Sequence, residues 1–161
     1  MRILLLITSI ALLSVAFTST TEKKDEKPIS NHDPASFKEM TIEFYDGGGM
    51  FPESERIFIS NDSVYYKHYL HGEETRTHWA PTMSELEELH LVFTKNNYAK
   101  IESELSRGTV YDLVGAEFTI TIDGEIGSAN NNGSRFVKEK WRANFQTIRT
   151  AISNYAASKL K

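Results

Sequence analysis

The chain has 161 residues, a net charge of −4 from 18 Lys and Arg against 22 Asp and Glu, and no cysteine. The missing thiol excludes disulfides, thiolate metal sites, cysteine nucleophiles and a lipid-bearing cysteine anchor. Acidic and basic residues are interspersed, as in Glu73-Glu74-Thr75-Arg76, so no basic stripe exists for nucleic-acid phosphates and no lysine-rich amphipathic helix for an anionic membrane surface.

At the N-terminus, Met1-Arg2 precedes a run from Ile3 to Phe17 that is apolar apart from Thr8, Ser9 and Ser14. A positive start, a short apolar run and small residues at its end are the pattern of a secretory signal peptide. The run is shorter than the roughly 20 apolar residues that span a bilayer. The expectation is a cleaved leader over 1–17, with Ser14 and Ala16 as the small residues at −3 and −1 of a cut before Phe17, and a secreted or periplasmic protein without membrane insertion. Loss of Arg2 takes the charge to −5. Residues 18–37 carry charges, Pro28 and Pro34 and few large apolar groups, the composition of a flexible polar linker. About 125 residues remain, enough for one core, which predicts a single α+β domain over 38–161.

From Thr41 the period is two. Ile42 and Phe44 alternate with Glu43 until Asp46-Gly47-Gly48-Gly49 breaks the strand. Ile57 and Ile59 predict a second strand closed by Asn61-Asp62, and Ser63–Leu70 a third, rich in tyrosine. His71-Gly72-Glu73-Glu74 reads as a turn and Thr75–Trp79 as a shorter fourth strand, together an antiparallel meander. Then the period turns helical. Ser84 and Glu87 form a capping box ahead of Leu86, Leu89, Val92 and Phe93, with Asn96-Asn97 as the stop. Tyr98, Ile101 and Leu105 suit a short helix ending at Gly108.

Strand alternation returns at Glu117–Asp123, with Phe118, Ile120 and Ile122 on one side, and Asp123-Gly124 turns the chain back through Ala129. Val137, Trp141, Phe145, Ile148, Ile152 and Tyr155 recur at helical spacing and predict a terminal helix that covers the sheet. The fold class is α+β: an antiparallel sheet of five or six strands with two main helices packed on one face.

No motif demands catalysis. His68 and His71 point to opposite faces of a strand and cannot share a metal without a bend. There is no G-x-S-x-G, no H-E-x-x-H, and the Gly47–Gly49 run is not followed by the lysine and helix of a phosphate loop. Carboxylate pairs such as Glu43 with Asp46, or Glu117 with Asp123, read as a solvated sheet face. Neither catalytic residues nor a metal or cofactor is expected. Tyr65 and Tyr69 share a strand face with Lys67, while Val64 and Tyr66 share the other, so one tyrosine pair faces water if the other is core. Exposed aromatics with a polar rim suit recognition of a protein or glycan, and equally suit cross-strand packing. The glycine run beside Met50-Phe51 offers an adaptable loop with an apolar anchor. The expected binding residues are Gly47, Gly48, Gly49, Met50, Phe51, Tyr65 and Tyr69.

The strand-and-glycine turn Ile42–Gly49, two further strands, the Ser84–Leu89 helix start, the Phe118–Gly124 hairpin and a final helix together resemble the emfourin-like small inhibitors of thermolysin-type metalloproteases. The resemblance spans about residues 40–158 and lies in order and spacing. The chain departs from it in a longer tyrosine-rich strand, an extra segment at 98–114 and a longer terminal helix, so no inhibitory residue carries over. It implies an exported, non-catalytic binding protein whose partner is a protein, a secreted metalloprotease in that family's case. Two other readings stay open: a small periplasmic or surface hydrolase whose site converges only in three dimensions, and a structural or adaptor module of the envelope.

Overall fold

Strand β1 (Met40–Gly47) sits inside the sheet because both of its edges are used. On one side it pairs antiparallel with β2 (Glu53–Ile59), which continues into β3 (Val64–Leu70) and β4 (Glu73–Trp79). On the other it pairs with β6 (Gly115–Ile122), which pairs with β7 (Glu125–Asn131). The result is a six-stranded antiparallel sheet in the order β4-β3-β2-β1-β6-β7. A second, two-stranded sheet joins β5 (Ser103–Leu105) to β8 (Arg135–Val137). Helix α1 (Met83–Lys95) follows β4, and α2 (Arg142–Lys159) ends the fold. A computed structural model describes residues 37–48, 52–106 and 115–160.

Two hairpins have two-residue turns, His71-Gly72 and Asp123-Gly124, with all four residues at positive φ (50° and 92°, 50° and 86°). Both central φ values are positive in a type I′ turn, whose twist matches that of paired strands. The turn after β3 is therefore shorter than the sequence suggests, and β4 begins at Glu73 rather than Thr75. Asp123 does a second job there: its Oδ1 accepts from the backbone N–H groups of Lys38 and Glu39, at 2.8 and 2.9 Å, which hold its carboxyl below the usual range. Asn61 clips the same entry to β1, accepting from the Met40 amide at 2.8 Å and donating to the Lys38 carbonyl.

One face of the sheet is core. Ile42, Phe44, Ile57, Ile59, Val64, Tyr66, Phe118, Ile120 and Ile122 are buried there beneath Leu86, Leu89 and Phe93 of α1 and Phe145, Ile148, Ile152 and Tyr155 of α2. Phe118 and Phe145 stack with centroids 5.4 Å apart. The Trp79 indole N–H donates to the Tyr155 hydroxyl at 3.1 Å, tying β4 to α2.

Three local expectations need correction. The capping box is Thr82 with Glu85, not Ser84 with Glu87: Thr82 Oγ1 accepts from the Glu85 amide, and Glu85 Oε2 accepts from the Thr82 amide at 2.9 Å. Glu85 also pairs with Lys159 of α2, so this register joins the two helices. Val137 does not open the terminal helix. It ends β8 opposite Ser103, and a 3-10 turn (Glu139–Trp141) intervenes before α2, although Val137 is still buried in the same core. The spacing of four from Val137 to Trp141 fits a helix by coincidence, while the β5 pairing comes from a distant segment. Likewise, Tyr98–Lys100 is a single 3-10 turn and Ser103–Leu105 is extended. The expected helix end at Gly108 lies outside the described residues.

Candidate functional site

With Ile42 and Phe44 inward, the period of two sends Glu43 and Tyr45 outward, and the same alternation runs through every strand of the sheet. Both α1 and α2 pack on the other side, so among the described residues no helix covers this face of the sheet. Register then arranges its side chains in two rows that cross the strands. The first runs His78, Tyr65, Phe58, Glu43, Thr119, Ser128. The second runs Arg76, Lys67, Arg56, Tyr45, Glu117, Asn130. Together they line an open depression of about 850 Å³.

The first row carries an aromatic platform. Tyr65 is 5.5 Å from His78, nearly parallel at 24°, and 6.4 Å from Phe58 at 41°. Offset and tilted contacts of this kind satisfy the quadrupoles of the rings. They remain in contact with solvent: Phe58 is 37 % and Tyr65 56 % exposed, whereas Tyr66 on the core side is 7 % exposed.

The second row is cationic at one end. Glu74 bridges two of the three cations, pairing with Lys67 and accepting from Arg76 Nε at 2.5 Å, and these hydrogen bonds lower its own pKa. Arg56 instead lies over the Tyr45 ring, with Cζ 4.8 Å from the centroid, and has no carboxylate partner among the described residues. At the other end Glu117 Oε2 accepts from the side-chain amides of Asn130 at 2.6 Å and Asn132 at 3.4 Å. The face is thus bipolar, basic over β2–β4 and acidic over β1 and β6.

Of the residues expected to bind, Tyr65 is at the centre of the platform. Tyr69, 42 % exposed, lies on the same face opposite Ser54, which in turn faces Gly47 at the end of β1. Gly47 (φ 141°) packs so closely on Ser54 that a Cβ would collide with that residue's backbone, and Gly48 continues at φ 100°. Gly49, Met50 and Phe51 lie outside the described residues. Tyr45, Arg56, Phe58, Arg76 and His78 were not singled out from the sequence. The signal for two of them was there: a two-residue His71-Gly72 turn fixes Tyr65 opposite His78 and Lys67 opposite Arg76.

The helix side of the same sheet end is polar but internally matched. Arg149 of α2 grips Asp46 through Nε and Nη2 at 2.5 and 2.9 Å, and Ser153 donates to Glu55 Oε1 at 2.6 Å. His68 Nε2 is 3.0 Å from Glu53 Oε1, while His71 occupies the turn. Tyr66 reaches Glu55 at 3.5 Å; burial first, and then the Glu55 charge, push its phenol to about 12. Burial and Glu125 push Tyr98 to about 12 as well. A phenol held neutral by the fold stabilises it below the ordinary pKa near 10, and that contribution disappears as pH rises through about 12. Base titration followed by phenolate absorbance is therefore expected to show Tyr66 and Tyr98 ionising well above the ordinary phenol range, together with unfolding. Tyr66→Phe should remove part of that alkaline loss of stability.

Compared with protein-family models and with characterised proteins, the chain matches none.

Proposed function

We propose that the chain is an exported, non-catalytic binding protein that holds its partner on the face of the sheet opposite α1 and α2. The observation that carries this reading is the Phe58–Tyr65–His78 row. These rings lie in contact with solvent on a sheet whose other face supplies the core. Rigid aromatics with arginine beside them are the side chains that dominate recognition surfaces. The non-catalytic part is supported by the polar groups of the opposite face. Ser153 donates to Glu55, and His68 bonds to Glu53, so neither forms a nucleophile–base pair with the other.

Tyr65→Ala is expected to change stability by no more than about 0.5 kcal/mol, as at other surface positions, while abolishing partner capture. The resemblance to emfourin-like inhibitors names the first partner to assay, a secreted thermolysin-type metalloprotease, with inhibition as the readout. A large drop in melting without loss of capture would assign the ring to sheet packing. Turnover of a peptide, ester or glycoside that one substitution eliminates would refute the non-catalytic reading. Export is tested separately: mass spectrometry of protein recovered outside the cytoplasm should show the leader lost near Ala16, and an intact Met1 on membrane-bound protein contradicts it.

A further inference from the structure

Resting on that reading of the open face, we propose that its ligand is an acidic oligosaccharide, with sugar rings on Tyr65 and Phe58 and a ring carboxylate on Arg56. The platform and the cation row are neighbouring rows on the same strands, two residues apart, or about 7 Å along the strand. A pyranose has an apolar C–H face that matches the electron-rich face of an aromatic ring, and a rim of hydroxyls. A uronate-type sugar adds a carboxylate at that rim. Arg56 is suited to receive it. Tyr45 holds the guanidinium from one side at 4.8 Å, and among the described residues no carboxylate occupies its planar N–H edge, which fits a carboxylate bidentately.

The bipolar charge selects within the anionic ligands. Glu43 and Glu117 stand in the same two rows, on β1 and β6, and accept hydrogen bonds only. A ligand that spans the face must therefore offer a negative group at one end and O–H or N–H donors at the other. Acidic sugars have both, whereas a polyphosphate would place charge against charge. An extended acidic peptide is the weaker fit. Peptides that join sheets draw on unpaired backbone at an edge, and β1, β2 and β3 are paired on both sides, leaving only side chains to offer.

The test is calorimetric titration of the purified protein with a short galacturonate oligomer, its methyl ester of the same length, and an oligo-glutamate peptide. The acidic sugar should bind, with affinity that falls as salt rises. The ester should bind at least about tenfold more weakly, as should the acid to Arg56→Gln, the loss expected when a hydrogen bond to a charged group is removed. Arg56→Lys should recover only part, because an ammonium cannot make the bidentate contact. Tyr65→Ala should weaken acid and ester alike, and the peptide should not bind. Equal binding of acid and ester, unchanged in Arg56→Gln, overturns carboxylate recognition while leaving a glycan on the face. Binding of the peptide alone, or of no probe, overturns the saccharide assignment. The binding-protein reading is tested separately, by whether Tyr65→Ala abolishes partner capture at unchanged stability.

Discussion

Phe118→Ala is expected to cost about 3–5 kcal/mol, the range for removing a large aromatic from a packed core. The site offers no easy way to collapse. Phe118 is 2 % exposed, its backbone is fixed between β1 and β7, and its ring stacks on Phe145 of α2. The lost contacts thus span both layers of the fold, and denaturant melts should show a lower midpoint with an unchanged slope. Trp141→Ala is the instructive comparison. Sequence spacing places Trp141 in the same stripe, but it ends the 3-10 turn, is only half-buried, and its indole N–H has no hydrogen-bond partner among the described residues. Its truncation should cost clearly less than that of Phe118. Equal losses would mean that the start of α2, rather than its middle, anchors the helix to the sheet.

A substitution that adds a single carbon should have the next largest effect. Gly127 lies in β7 with ordinary strand geometry, yet a Cβ there would sit 2.5 Å from the Tyr98 carbonyl oxygen and 2.7 Å from that residue's ring. The 3-10 turn at Tyr98 presses its backbone directly on the strand, and backbone yields less readily than a side-chain tip. Gly127→Ala should therefore cost about 3 kcal/mol, the upper part of the range for overpacking. Gly124→Ala tests a different cause, since nothing lies within 4 Å of its Cβ position and its φ of 86° alone opposes a side chain. If thermal melts show Gly127→Ala to be as stable as the parent, the turn does not pack on β7.

The sheet was legible in the sequence where pairing is local. The Asp123-Gly124 turn and the alternation of Ile42 with Phe44, and of Phe118 with Ile122, fix strands, faces and the β6–β7 register, whereas reading His71–Glu74 as a four-residue turn shifts the β3–β4 register by two. Legibility ended where distant segments meet. Val137 reads as helical because its pairing with Ser103 joins segments more than a helix length apart, and the choice of Thr82 over Ser84 as cap depends on where α2 presents Lys159. The candidate face shows the same division. That Tyr65 and Tyr69 share a side follows from strand period alone. That Arg56 meets Tyr45 needs the β1–β2 register, and the loop that sets it has no turn signature as strong as the other two.

The placement of β1 between β2 and β6 also bears on how fast this chain folds. The hairpins β2–β3, β3–β4 and β6–β7 each close a few residues, and such contacts form on microsecond timescales. Joining Met40 to Ile122 must instead close a loop holding four strands and helix α1 before any of its contacts can repay the lost chain entropy. That seam is the slow event, and until it forms, Ile42, Phe44, Ile120 and Ile122 are exposed along two unpaired strand edges. Docking of β6 onto β1 is thus the step at which refolding and aggregation compete.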